Sequence, residues 1–194
     1  MKNPRIYRLT VAALFAALCY IGFAVFKIDI PVGESKTAFH LGNVFCVLAA
    51  LFLGPVWGGL SGAVGMTIAD LTSGYATSAP KTFLLKLCIG LIAGLTAKAL
   101  GLYEEKPRLP RPAAAAISTA VGMIFNVVAD PLVGYFYKMY ILSIPQDAAQ
   151  IWAKIGALTT AVNAVVAILV GTVLYAALYP ALKRSHLLPT ARQT

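Results

Sequence analysis

The stretch from His40 to Gly94 constrains this chain most. It reads HLGNVFCVLAALFLGPVWGGLSGAVGMTIADLTSGYATSAPKTFLLKLCIGLIAG, apolar enough to cross a bilayer repeatedly, yet it carries His40, Asp70, Lys81 and Lys86 at separated points. Backbone groups in hydrocarbon cannot bond to water, so its apolar parts must be helices that satisfy their own hydrogen bonds. Gly54-Pro55 ends one helix and starts the next, and the run from Ser73-Gly74-Tyr75 to Ala79-Pro80 does the same. Two breaks make three helices. The middle one carries Gly58, Gly59, Gly62 and Gly65 at helical spacing, and Gly58, Gly62 and Ala69 give small-xxx-small faces for close packing. It ends in Asp70, and the next helix opens with Lys81 and Lys86, so acid and base gather at one membrane face. Polar clusters at a bundle mouth point to a ligand site.

Composition agrees with a membrane assignment. Of 194 residues 59% are hydrophobic and 12% charged, about half the charged fraction of a soluble domain. At about 20 residues per span, the length holds six helices in one domain and leaves no room for a nucleotide-binding domain. The formal charge of +9 raises the possibility of nucleic-acid binding, but the basic residues flank apolar spans, where they signal topology. Cys19, Cys46 and Cys88 fall within spans without metal-ligand spacing and read as packing residues. The first apolar run lacks a small-residue cleavage site and does not read as a signal peptide.

The expected fold is an all-α integral membrane bundle of six transmembrane helices in one domain, with cytoplasmic N- and C-termini. The spans are expected near 9–26, 41–53, 56–71, 82–100, 113–134 and 152–180. Lys2, Arg5 and Arg8 precede the first span, Lys98, Lys106, Arg108 and Arg111 surround the fourth loop, and Lys183-Arg184 follow the last span. Six spans put all three basic clusters on the cytoplasmic side. The polar run 27–40 then lies outside, as a lid for a pocket. Span two is short for a bilayer and is expected to extend into that loop or to tilt.

This topology sorts the polar residues. Lys36, His40, Asn43, Asp70, Tyr75, Lys81, Lys86, Asn126, Asp130, Lys138 and Lys154 fall in or near the outer half, and Asn163 near the midplane; the inner half is almost free of ionisable groups. These residues other than Lys138, with Tyr135 and Trp152, are the candidate substrate-binding set. Asp70 either pairs with Lys81 or Lys86 or accepts a hydrogen bond from ligand, and Lys86 is the deeper of the two lysines. His40 and Asn43 are spaced i, i+3 on one helical face, and a lone histidine suits hydrogen bonding better than metal. Asp130-Pro131 is expected to bend span five and bring its carboxylate to Lys154. Asn126 and Asn163 either tie helices together or face the pocket. Tyr75, Tyr135 and Trp152 offer flat faces for a ring or serve as interface anchors. In the first span Ala12, Ala13, Ala16 and Ala17 form two overlapping AxxxA pairs, a groove for a helix of this chain or of another protein.

The segments HLGNVF, LFLGPVWGGLSGAVGMTIADLTSGY and APKTFLLK resemble the substrate-binding S components of energy-coupling factor (ECF) vitamin transporters, in particular the riboflavin-transporter-like group. The resemblance implies a six-helix subunit that binds a vitamin or related precursor from outside, with the first long loop closing over it. It implies docking on a membrane coupling protein served by two ATPase subunits, followed by toppling of the whole subunit to release ligand inside. The docking face would be Ala12, Ala13, Ala16 and Ala17. No ATP site, catalytic residue, metal or cofactor is then expected on this chain, whose home would be a prokaryotic plasma membrane. The charge balance of the pocket suits a polar, neutral ring: pyridoxine, a hydroxymethylpyrimidine, riboflavin or a queuosine precursor. The rivals are a stand-alone secondary carrier, disfavoured by the apolar inner half, a membrane enzyme, disfavoured because His40 and His186 fall on opposite sides of the membrane, and a structural subunit without ligand.

Overall fold

The computed structural model describes residues 4–33 and 35–185; Lys2 and His186 lie outside the described residues. Six α-helices are found among them: α1 (Pro4–Ala24), α2 (Gly42–Leu53), α3 (Pro55–Thr72), α4 (Ala79–Ala99), α5 (Arg111–Phe136) and α6 (Gln146–Arg184). A short 3-10 turn, Ala76–Ser78, leads into α4, and a π-helical turn, Tyr137–Ile141, extends α5. The helix runs unbroken through Pro131.

One expectation needs correction, because the fold is not purely helical. Residues expected to form an irregular loop make an antiparallel hairpin, β1 (Lys27–Val32) and β2 (Ser35–His40), with register Lys27 to His40 through Val32 to Ser35. The residues alternate, with Ile28, Ile30 and Val32 on one strand and Thr37 and Phe39 on the other. Gly33 takes φ +58° after β1, a conformation that glycine adopts without a Cβ penalty. His40 therefore closes a strand, and only Asn43 sits on α2, so the two do not share a helical face.

Four helical stretches are long and apolar enough to cross a membrane: Arg5–Ala24, Ala76–Ala99, Arg111–Ile141 and Gln146–Arg184. α2 has 12 residues, all buried except Phe45. At 1.5 Å per residue it spans about 18 Å, less than a hydrocarbon core of about 30 Å. It begins at Gly42 instead of extending into the preceding segment, and its other helices shield it. Gly54, at φ +86°, and Pro55 turn the chain directly into α3.

α3 is the hub. It packs on α1, α2 and α4, and it meets each with a different glycine. A Cβ on Gly58 would strike the Ala50 backbone of α2, one on Gly65 would strike the Ala16 carbonyl of α1, and one on Gly59 would press on the Leu87 carbonyl of α4. Ser61 Oγ also donates to the Ala12 carbonyl at 2.9 Å. The two AxxxA pairs of α1 are thereby separated: Ala12 and Ala16 face α3 within the chain, while Ala13 and Ala17 are exposed.

The end of the bundle away from the hairpin is closed by rings. Phe15 stacks on Phe52 (centroids 6.2 Å apart), Phe52 on Tyr175 (4.9 Å), and Tyr175 lies against Tyr179 (5.6 Å). Arg111 covers Tyr179 at 4.3 Å and donates to the carbonyls of Leu102, Glu104 and Glu105, while Tyr103 donates to the Ala50 carbonyl at 2.7 Å. The outside is apolar, with Leu84, Ile124 and Leu169 each 62% exposed. A girdle of this kind matches lipid.

Candidate functional site

At the hairpin end, α3, α4, α5 and α6 splay around a cavity of about 430 Å³, with β2 along one side. Each helix contributes a ladder of polar positions. α3 supplies Asp70, α4 supplies Lys81, Thr82 and Lys86, α5 supplies Asn126 and Asp130, and α6 supplies Trp152, Thr159, Thr160 and Asn163. The spacing follows from helix periodicity: Trp152, Gly156 and Thr160 recur every four residues and so share a face. Lys154 sits about 200° from Trp152 at 3.6 residues per turn. It is exposed and does not line the cavity.

That rotation also corrects the expected partner of Asp130. Its Oδ1 accepts from Lys81 Nζ at 2.6 Å and its Oδ2 from Thr160 Oγ1 at 2.8 Å, so the carboxylate ties α4 to α6 without Lys154. Lys86, only 8% exposed, instead donates to Asn43 Oδ1 at 2.9 Å. With both lysines engaged elsewhere, Asp70 makes no ion pair within 4 Å among the described residues, against the expected pairing. It is 3% exposed, Thr82 lies beside it, and its Oδ2 has no hydrogen-bond partner among the described residues. Asn126 Oδ1 is likewise buried and unpartnered. Buried acceptors left unsatisfied are costly, by roughly 1–3 kcal/mol each.

Asn163 does tie elements together, though the partner is the hairpin. Its Nδ2 donates to the Ala38 carbonyl at 3.0 Å and its Oδ1 accepts from the His40 N–H at 3.1 Å, pinning β2 to the middle of α6. His40 Nδ1 accepts from the Gly42 N–H at 3.2 Å. Burial, reinforced by the Lys86 ammonium, pushes the His40 imidazole down to about 3. On the far side of the His40–Asn163 pair lies a second hollow of about 360 Å³, lined by Phe26, Ile28, Phe39 and Val162.

The other edge of the hairpin meets the α3–α4 loop through charges. Lys36 Nζ lies 2.9 Å from Asp29 and donates to the Ser73 carbonyl at 3.2 Å, and Tyr75 OH donates to Asp29 at 2.8 Å. Burial pushes the Asp29 carboxyl up, but the hydrogen bonds from Lys36, Tyr75 and Lys27 outweigh it and hold the group below the usual carboxylate range. Tyr75 is pushed the other way, upward, by burial and by its bond to Asp29.

The aromatic candidates divide. Tyr75 and Trp152 line the cavity, but lysines sit over their rings: Lys36 is 4.7 Å from Tyr75, and Lys138 is 4.7 Å from Trp152. Tyr135 packs edge-on against Phe136 and does not line the cavity; its neighbour Tyr137 does. The sequence places Lys138 in the outer half and Tyr137 in an aromatic run without marking either as a site residue, and Thr159 and Thr160 were missed altogether. The threonines were signalled by two hydroxyls one turn before Asn163 in an otherwise apolar helix, and Lys138 by its place two turns after Asp130.

Comparison with known proteins accords with this geometry. A family model described as the ECF-type riboflavin transporter S component matches residues 3–180. An uncharacterised protein of Pyrococcus woesei, described by its position in the gap 3′ region, is 29% identical over 121 residues, 62% of this chain and 72% of that protein. Among solved structures, the S component for biotin from an ECF-type ABC transporter aligns with a TM-score of 0.63 at 19% identity, covering 90% of this chain and 93% of that one, a likeness of fold. On the strength of a family match over nearly its whole length, this chain belongs to the ECF-type riboflavin transporter S components.

Proposed function

We propose that this chain is the substrate-capture subunit of an ECF-type ABC importer, taking a small heteroaromatic B-vitamin or related precursor from outside the cell. The observation that carries this reading is the asymmetry of the bundle: a polar cavity at the hairpin end, and rings and aliphatic side chains filling the other. Six membrane crossings fit the six helices. The cytoplasm then faces the end that carries Arg5, Arg8, Lys98, Arg108 and Lys183, as the positive-inside bias requires. The hairpin is the lid, and the candidate ligand groups are the cavity residues from Lys36 to Asn163.

Delivery depends on partners. The exposed pair Ala13 and Ala17 is the docking face for a membrane coupling protein served by two ATPase subunits, since Ala12 and Ala16 are already covered by α3. Pyridoxine, hydroxymethylpyrimidine, riboflavin and a queuosine precursor are the first candidates by ring chemistry. The test is mass spectrometry of small molecules released from detergent-purified protein, followed by thermal shift with a vitamin panel. A stoichiometric vitamin or precursor is expected. No retained molecule and no shift with any vitamin would remove the capture role, and uptake into vesicles lacking any ATPase would replace it with a stand-alone secondary carrier.

A further inference from the structure

The charges around the cavity do not cancel. Four lysines line it, Lys36, Lys81, Lys86 and Lys138, against two carboxylates, Asp70 and Asp130. Lys81 is neutralised by Asp130 at 2.6 Å, whereas Lys36 at 2.9 Å shares Asp29 with Lys27 at 3.3 Å, so that carboxylate meets two ammonium groups. That leaves two ammonium groups facing one carboxylate. Lys86 bonds to Asn43 at 2.9 Å and lines the same cavity as Asp70. Lys138 has no carboxylate within 4 Å among the described residues, and only the face of Trp152 lies beneath it. Cation–π contact with a ring is a weaker partner for an ammonium than a desolvated counter-ion.

Two other groups of the cavity have the opposite need. Asp70 Oδ2 and Asn126 Oδ1 are acceptors, both buried and both without a donor among the described residues. Lys138 lies 12 residues beyond Asn126 on the same helical rod, about 18 Å along its axis at 1.5 Å per residue, a span that the lysine side chain shortens. A molecule meeting both ends is elongated and chemically polarised.

Resting on the capture reading above, we infer that the ligand of this cavity carries an acidic group seated at Lys138 and presents N–H or O–H donors to Asp70 and Asn126. The class is a ring compound with amide, amine or hydroxyl donors and one carboxylate. This departs from the neutral ring expected from sequence, because Lys138 has no carboxylate within 4 Å among the described residues while Asp29 already serves two lysines.

The test uses the full chain in detergent. Molecules released on denaturation are identified by mass spectrometry, and ring carboxylic acids, each paired with its primary amide, are compared by titration calorimetry, with riboflavin and pyridoxine as neutral members. The expected results are a retained acid or a preference for acid over amide of at least tenfold. The preference should fall below threefold in Lys138→Met and return in Lys138→Arg, with unchanged melting of both variants without ligand. A retained neutral molecule, or an amide bound as tightly as its acid, overturns the charge assignment and leaves the capture role standing. A preference that survives Lys138→Met overturns the seat at Lys138. No retained molecule and no binding by any member overturns both readings.

Discussion

The two ends of this bundle solve opposite packing problems with the same six helices. Near Gly58 and Phe52, α2 and α3 touch backbone to backbone and rings fill what remains, so the contacts leave no room for an added atom. Around Gly156 and Gly134 the helices stand apart, and the gap is bordered by ammonium, carboxylate and amide groups. A Cβ on Gly156 would meet nothing within 4 Å. The difference teaches that one end is optimised for contact and the other holds polar groups apart at a cost in stability, as functional sites commonly do.

Paired glycine substitutions test this most directly. Gly58→Ala should destabilise by about 3 kcal/mol through collision with the Ala50 backbone, whereas Gly156→Ala should stabilise by up to about 1 kcal/mol through helix propensity while narrowing the cavity. Equal melting temperatures for the two variants would erase the contrast. Next in size is the ion pair. Lys81→Met strands the Asp130 charge and should lower stability by about 2–3 kcal/mol, whereas the double variant Lys81→Met/Asp130→Leu should recover most of it. Failure of the double variant to melt above the single one would show that the pair stabilises the bundle in its own right.

Acid should weaken the hairpin end selectively. His40 folds with its imidazole lowered to about 3 from an ordinary 6.5. Between those values the unfolded chain binds a proton that the folded chain refuses. Stability is therefore intact above about pH 6.5 and declines as pH falls, by up to about 2 kcal/mol at pH 5. Asp29 acts in the same direction at lower pH, because its depressed carboxyl stabilises above the unfolded value and loses that effect as pH falls through the folded one. Melting of wild type at pH 7 and pH 5 should show the loss and His40→Gln should flatten it; a wild-type melt indifferent to pH would remove His40 from this role. The smallest effect on stability is expected at the exposed face of α1. Ala13→Leu and Ala17→Leu should change it by about 0.5 kcal/mol or less, leave ligand binding intact and abolish uptake in cells. Unimpaired uptake would relocate the docking face.

The helices were legible because an apolar run in a membrane must be helical and Gly54-Pro55 and Ala79-Pro80 mark the breaks. The polar ladder was legible too, since intramembrane charges are rare enough to stand out. What sequence did not specify was rotation about each helix axis. A shift of one residue turns a side chain by about 100°, which separates Lys154 from Trp152 and Tyr135 from Gly134. Partner choice was equally hidden: Asp130 meets Lys81 across 49 residues and Asn163 meets Ala38 across 125. The hairpin escaped because its alternation is short, polar and interrupted by Pro31, so it reads as a loop until the register pairs it.

The hairpin is fastened unequally. Asn163 clasps the backbone of β2 through two amide hydrogen bonds, while the hairpin meets the α3–α4 loop through Lys36 of β2 and through Asp29 of β1, whose side chain is 35% exposed. Screened contacts of the second kind break easily; desolvated amide pairs do not. Added salt should therefore loosen the hairpin from the α3–α4 loop before it loosens β2 from α6.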